Sequence, residues 1–333
     1  VLVTKEPALR RFWYPLTDVD AVPHGVPLGR RLLGVDVVLY RSGDDVVAAI
    51  DRCPHRDAAL SGGWMADGRV VCPYHGWEFA LSGRCERIPQ ADDDATIPPR
   101  ARLEMLPCTT RYGWVWVSLD PEPVGGIPDL PEFDQEGWRV VPEFDTLWHC
   151  SAAHLIENNF DPAHIAFVHK GSFGAVPDAR IPVPEVTRTA YGVRSQVRVP
   201  VAARPGETTA TERRTTSEMH APFLGVFRIG YPDGLMHIMV KACTPVDDGV
   251  TRLLQFVVRN DTDADRPPAD IVAFDSQVAV EDKAVLERIS PDFPLDLTRN
   301  VHVRFDRASL ELRRLWSDLV AGEWLPGSQG AAA

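Results

Sequence analysis

The rhythm of hydrophobic and polar residues changes along the chain. In the first third, short β-branched and aromatic runs at 35–40, 46–50, 69–72, 77–80 and 114–119 read as strands separated by turns. Ser42-Gly43-Asp44-Asp45 lies between the first two and predicts a hairpin. Ala66-Asp67-Gly68 and Ser82-Gly83 mark further turns. Between Asp120 and Pro131, prolines and glycines gather (Pro121, Pro123, Gly125, Gly126, Pro128), which places a domain boundary there. Beyond it, 151–168 has helical spacing interrupted near Asp161-Pro162. The stretches 183–200, 208–219, 226–231, 235–244 and 250–260 read as longer strands, and their short connections predict an antiparallel sheet. Helices follow at 270–289, behind Pro267-Pro268, and at 308–321, before a frayed tail at 327–333. The expected fold class is α+β: an all-β domain over 1–120, then an α+β domain over 121–333 with an antiparallel sheet and flanking helices.

Composition narrows this picture. At ~150 residues per domain, 333 residues suit two domains. Lysine plus arginine number 35 against 47 aspartates plus glutamates, a net charge of −12. So acidic a chain does not bind nucleic acid or an anionic membrane through its overall field. The longest unbroken apolar run is five residues, Val46 to Ile50, whereas a membrane-spanning helix needs ~20. The N-terminus carries Lys5, Glu6, Arg10 and Arg11 and no apolar targeting stretch. A cytoplasmic protein is expected. A chain of this size needs no disulfide staples, so the question for its six cysteines is whether any stand at metal-ligand spacing.

Two of them do. Cys53-Pro54-His55 is followed, sixteen residues later, by Cys72-Pro73-Tyr74-His75-Gly76-Trp77. A closed Cys₂His₂ zinc site would use the same residues, but zinc fingers group cysteines with cysteines and histidines with histidines. Here each cysteine is paired with its own histidine, which suits a [2Fe–2S] cluster with two cysteines on one iron and two histidines on the other, the Rieske arrangement. Cys85, Cys108, Cys150 and Cys243 share no such spacing and read as small core residues.

A second constellation lies at Asp161-Pro162-Ala163-His164 and His169. Five residues on a regular helix is about 140° of rotation, so both histidines reach one ion only if the helix ends or bulges between them. Alone, the pair is a weak signal, more often two structural histidines than ligands. The helix at 270–289 offers a carboxylate: Ile271, Val278, Val285 and Ile289 make an apolar stripe with Asp282 in its middle and Asp275 at its edge. A core-facing carboxylate is costly unless paired or metal-bound. Asp282 is therefore a ligand or half of a buried ion pair, or the helix is misplaced. As a ligand it completes a 2-His-1-carboxylate site of the non-haem Fe(II) type.

Taken together, these motifs resemble the catalytic α subunit of a Rieske non-haem iron oxygenase. The resemblance runs from Arg11-Phe12-Trp13-Tyr14-Pro15 through Leu33-Gly34, Leu39-Tyr40-Arg41, both cysteine–histidine loops and Leu60-Ser61. It continues through Glu157-Asn158, Asp161, His164, His169 and Glu281-Asp282-Lys283 to the helix containing Trp316. The length resembles the compact, α-only branch of O- and N-demethylases and natural-product hydroxylases. The resemblance implies a helix-grip-like catalytic domain. It also implies a [2Fe–2S] cluster on Cys53, His55, Cys72 and His75, a mononuclear Fe(II) on His164, His169 and Asp282, and O₂ as co-substrate. Asp161 is implied as the inter-subunit electron-transfer bridge, hydrogen-bonded to His75 of the next chain in a head-to-tail homotrimer; the alternative for Asp161 is a helix cap before Pro162.

No G-x-G-x-x-G or Walker motif is present, so NAD(P)H enters only through a separate reductase or ferredoxin. Arg52 and Arg56 flank the first cluster loop and offer a local basic patch for such a donor. Candidates for the pocket of a small, apolar or aromatic substrate are Phe173, His220, Phe223, Phe227, Met236, His237 and Met239. His237, in an apolar strand, reads more readily as a satisfied core histidine than as a substrate contact. The expected activity is hydroxylation or oxidative demethylation. The alternatives are cis-dihydroxylation of an aromatic ring, a Rieske electron-transfer or redox-sensing protein without oxygenase activity, and a zinc-stabilised binding protein.

Overall fold

A computed structural model describes residues 1–92, 94–174, 178–201 and 211–327. The expected start of a strand at 208–210 and the tail beyond 327 lie outside the described residues. Two units are formed: Arg10–Pro123, and Val1–Leu9 together with Val124–Ala333. The expected first domain, 1–120, thus differs at its start. Thr4 donates to Asp248 through both its backbone N–H and its hydroxyl, each at 2.8 Å, and the N-terminal ammonium meets Asp292 at 3.0 Å.

The Arg10–Pro123 unit is built from short strands. In chain order they are β1 (Tyr14–Asp18), β2 (Leu28–Leu32), β3 (Val35–Ser42), β4 (Asp45–Ile50), β5 (Trp64–Ala66) and β6 (Arg69–Val71). Then come β7 (Glu78–Phe79), β8 (Cys85–Arg87), β9 (Met105–Leu106), β10 (Cys108–Arg111) and β11 (Trp114–Val117). They form three antiparallel sheets in the orders β1-β11-β10, β2-β3-β4-β9 and β5-β6-β7-β8. The hairpin expected at Ser42–Asp45 joins β3 to β4 through Gly43 at φ +59°. Val38, Tyr40, Leu60, Val70 and Phe79 pack into one core with Cys53 and Cys72.

In the other unit, seven antiparallel strands form one sheet. They are β12 (Arg139–Trp148), β13 (Glu185–Arg188), β14 (Gly192–Val201), β15 (Thr211–His220), β16 (Leu224–Gly230), β17 (Met236–Pro245) and β18 (Thr251–Arg259), in the order β12-β18-β17-β16-β15-β14-β13. The run read as one strand at 183–200 is two, because Thr189 N–H bonds Gly192 O at 2.8 Å and turns the chain. One rung of side chains crosses the sheet in register: Val141, Val257, Met239, Phe227, Ser217 and Ser195. Helix α3 (Pro268–Leu286) lies over it, with Ile271 packed against Val141 and Val257.

Helix α1 (Ala152–Phe160) starts at Ser151, whose hydroxyl accepts from His154 N–H, and α2 (Ile165–Val168) follows. Helix α4 (Arg307–Ala321) packs on β13, β14 and α1. Its buried apolar residues Ala308, Leu312, Leu315, Trp316 and Leu319 fall at i, i+4, i+7, i+8 and i+11, one helical face. Among the described residues, no helix is long and apolar enough to cross a membrane.

Trp316 ties this packing together. Its ring meets Phe293 edge-on at 5.2 Å and Phe223 at 5.8 Å, and its Nε1–H donates to Pro222 O at 3.0 Å. Trp316→Ala is expected to destabilise the protein by about 3–5 kcal/mol, read by denaturant unfolding followed through a catalytic-unit probe.

Candidate functional site

The two cysteine–histidine loops have one backbone frame. In the first, Cys53 N–H bonds Ala58 O at 2.8 Å and Cys53 O accepts from Asp57 N–H at 3.0 Å. In the second, Cys72 N–H bonds Trp77 O at 2.9 Å and Cys72 O accepts from Gly76 N–H at 3.0 Å. The residue four after each cysteine is left-handed, Asp57 at φ +56° and Gly76 at φ +71°. The frame turns both cysteines inward, where they are buried, and leaves His55 exposed and His75 half-buried. The imidazoles stand together, 4.6 Å between centroids, and His55 stacks on Trp77 at 4.5 Å. Burial, then the neighbouring Cys72, pushes the Cys53 thiol up to about 12. Two adjacent buried thiolates therefore require a shared cation. Two sulfurs inside, two imidazoles at the tip and an unpartnered, buried His75 Nδ1 fit a [2Fe–2S] cluster with mixed ligands. Of the two flanking arginines, Arg52 faces Asp57 and Glu104, each at 3.7 Å, so part of its charge is met within the unit.

In the catalytic unit, the helix breaks as the histidine spacing requires. Asp161 takes extended geometry after α1, at φ −90° and ψ 113°. His164 precedes the four-residue α2, and His169 follows it at φ −95° and ψ 21°. Their Nε2 atoms come to 3.2 Å of each other. Asp282 Oδ1 lies 3.3 Å from His169 Nε2 and 3.6 Å from His164 Nε2. Three donors at cis positions around an ion with ~2.1 Å bonds stand about 3 Å apart, so this triangle fits a metal. Asp282 Oδ1 is buried and makes no hydrogen bond.

His169 is held from behind. Its Nδ1–H donates to Glu281 Oε2 at 2.8 Å, Ser172 Oγ donates to the same oxygen at 2.8 Å, and Phe173 stacks on the ring at 4.9 Å. This fixes the tautomer with Nε2 free toward the ion. Burial, opposed by Asp282 and Glu281, keeps His169 below the usual imidazole range and so in its neutral, ligating form. Asp161 Oδ2 stands 3.8 Å from His164 Nδ1, and its Oδ1 accepts from Ala163 N–H at 2.8 Å. Burial raises its carboxyl, but the facing His164 and the backbone N–H groups outweigh that and hold it below the usual range. Its position just after α1 also makes it the C-cap expected as the alternative reading.

The inner face of α3 runs through Ile271, Asp275, Asp282 and Leu286, all buried, while Val285 and Ile289 are exposed. The predicted stripe is thus rotated, and both aspartates lie on the inner face. Asp275 turns to another partner: its Oδ2 is 3.3 Å from His237 Nε2. Arg259 Nη1 donates to His237 Nδ1 at 2.6 Å, so the ring proton of a neutral His237 sits on Nε2, facing Asp275. Burial, then the charge of Asp275, pushes the Glu143 carboxyl far up, so it stays neutral; burial raises Asp275 too, but the facing His237 outweighs that and holds its carboxyl below the usual range.

The triad opens onto a cavity of about 440 Å³ between the sheet and α3. Of the expected pocket residues, Phe173, Phe227, His237 and Met239 line it; His220, Phe223 and Met236 do not. Strand alternation explains two of these: Met236 and His220 occupy the face opposite to His237 and Ser217. Phe223 sits against Trp316. Asn159, Ser217, Lys241, Arg259 and Asp275 line the cavity without having been anticipated. Glu281 was visible only as the neighbour of Asp282.

Residues 12–107 match the Rieske [2Fe-2S] domain, and residues 148–322 match the vanillate O-demethylase oxygenase C-terminal domain. The chain belongs to the Rieske non-haem iron oxygenases. Methylxanthine N1-demethylase NdmA of Pseudomonas putida is 31% identical over 327 residues, 93% of this chain and 89% of that protein. The N3-demethylase NdmB of the same organism is 31% identical over 325 residues, again 93% and 89%. The solved structure of an NdmA variant with theobromine superposes with a TM-score of 0.83 at 28% identity, covering 95% of this chain and 92% of that one. This Rieske oxygenase is thus a catalytic subunit whose family uses a [2Fe–2S] cluster, a mononuclear iron and O₂, and the electron-transfer-only and zinc readings are not favoured.

Asp282→Ala is expected to lose the mononuclear iron while the visible spectrum of the cluster persists, and Asp275→Ala to keep both, as read by metal analysis and absorption. Glu281→Gln is expected to weaken iron retention about 10–100-fold under chelator challenge.

Proposed function

We propose that this Rieske oxygenase removes a methyl group from a nitrogen or oxygen of a small planar ring compound. The observation that carries the reading is the opening of the His164–His169–Asp282 triangle onto a cavity with aromatic walls, Phe173, Phe227 and Phe274. Its volume of about 440 Å³ lies within the range of small-molecule sites. Similarity to two N-demethylases along nearly the whole chain supports demethylation over ring dihydroxylation.

The metal groups supply electron transfer and O₂ activation when bound. The chain's own part is placement. His164, His169 and Asp282 would hold the iron, and Glu281 and Ser172 fix His169. Cys53, His55, Cys72 and His75 hold the cluster. The cavity walls exclude water and set the methyl group toward the triad. The overall reaction takes substrate–CH₃, O₂, two electrons and two protons to substrate–H, formaldehyde and water. The electrons come from a reductase or ferredoxin that uses NAD(P)H. A homotrimer in which His75 meets Asp161 of the next subunit, and a cytoplasmic setting for six free cysteines, belong to the same proposal.

The test is turnover with a surrogate ferredoxin and reductase on a panel of N-methyl heteroaromatics and aryl methyl ethers. One formaldehyde per demethylated product is expected. A product that keeps its methyl and gains one oxygen, or a cis-diol, overturns the demethylase reading.

A further inference from the structure

Three cations of the catalytic unit are buried among the described residues: Lys241, Arg259 and Arg313. Arg313 is held by Glu157, with bonds of 2.6 and 2.9 Å. Arg259 is forked onto Asp261. Lys241, only 8% exposed, has no such partner. Its one hydrogen bond among the described residues is to Asn159 Oδ1 at 3.1 Å, and no carboxylate there comes within 4.0 Å of its ammonium. An ammonium carries three donors, so two are left for something else. A buried charge is costly unless paired.

The surroundings aim Lys241 into the cavity. On β17 it shares a face with His237 and Met239, both of which line the same space. Its cross-strand neighbour on β16 is Gly225, where a Cβ would run into the Phe227 ring at 2.4 Å. That gap lets Phe227 lean across, 5.9 Å from the ammonium. Asn159 is fixed in turn by its Nδ2–H donating to Leu155 O at 2.7 Å, which leaves Oδ1 for Lys241. Two acids feel the charge of Lys241 without pairing with it. Asp275 faces His237, and Glu143, which accepts from Gln255 Nε2, stays neutral. The floor thus has an apolar middle, Met239 and Phe227, and an unmatched positive charge at one edge.

We propose that Lys241 anchors an anionic oxygen of the substrate, so that this oxygenase selects ring compounds carrying a carboxylate. The proposal rests on the reading of this cavity as the demethylation site and names the substrate class within it. Lys241 is a specificity-determining residue here, apart from the triad.

The probes are 3-methoxybenzoate and its uncharged counterpart 3-methoxybenzamide, titrated calorimetrically into the anaerobic holoenzyme. The acid is expected to bind about tenfold tighter than the amide or better, the worth of one charge-assisted hydrogen bond. Lys241→Met is expected to erase the preference, and Lys241→Arg to keep most of it, with retention of the mononuclear iron reporting that the unit carrying Lys241 is folded in each variant. A wild-type protein that does not prefer the acid, or a Lys241→Met variant that still does, overturns the proposal. Formaldehyde release is measured separately. Acid-selective binding without release supports the anchor and sinks the demethylase reading, whereas release with equal affinities overturns the anchor alone.

Discussion

The catalytic unit depends on one constraint: helix α3 turns two carboxylates, Asp275 and Asp282, toward the protein interior. Each must be matched by something that favours negative charge, or the helix does not sit there. Asp275 is matched by His237, which Arg259 backs, and Arg259 is itself forked onto Asp261. Among the described residues, Asp282 has two imidazoles against it and no cation, and His169 is kept in its neutral range by burial. Neutral imidazoles offer lone pairs, not countercharge. A cation at the centre of the triangle balances the carboxylate and satisfies both nitrogens at once.

The two aspartates are seven residues apart, two turns of one helix, so the His237 pair and the iron site are rigidly linked. The sheet beneath repeats the division. Its central rung is apolar at Val141, Val257, Met239 and Phe227, and polar side chains occupy the rungs on either side, Lys241 and Gln255 in one, His237 and Arg259 in the other. The cavity floor thus offers an apolar middle with polar groups only at its edges, the arrangement that orients a ligand in a largely apolar pocket.

Legibility followed range. The cluster ligands could be read because each loop is local: cysteine, proline and histidine stand within four residues, and a bare spacing rule separates mixed from grouped ligands. The helix end between His164 and His169 could be read because a regular helix forbids their convergence, and Asp161-Pro162 marks a separate interruption ahead of both. Asp282 was found by its conflict with an apolar stripe, although that stripe was placed one residue row off. Val285 and Ile289 proved exposed, and Leu286 took the inner face. Strand β12 gave no signal, because its half-exposed edge carries Pro142, Glu143 and Asp145 instead of an alternating pattern. The support that Glu281 gives His169 and the burial of Lys241 could not be read. A glutamate on a helix and a lysine in a strand usually face water, and only the tertiary structure turns these two inward.

Helix α1 joins the recognition of substrate to the chemistry. Asn159, in its last turn, holds Lys241, and Asp161, just past its end, sits beside His164. Any shift of that turn moves the Lys241 partner and the His164 neighbour together. Asn159 and Asp161 are two residues apart, so the amide that meets the Lys241 ammonium and the carboxylate beside His164 are both placed by the end of this one helix, where Asp161 leaves the helical geometry while its N–H still bonds Asn158 O.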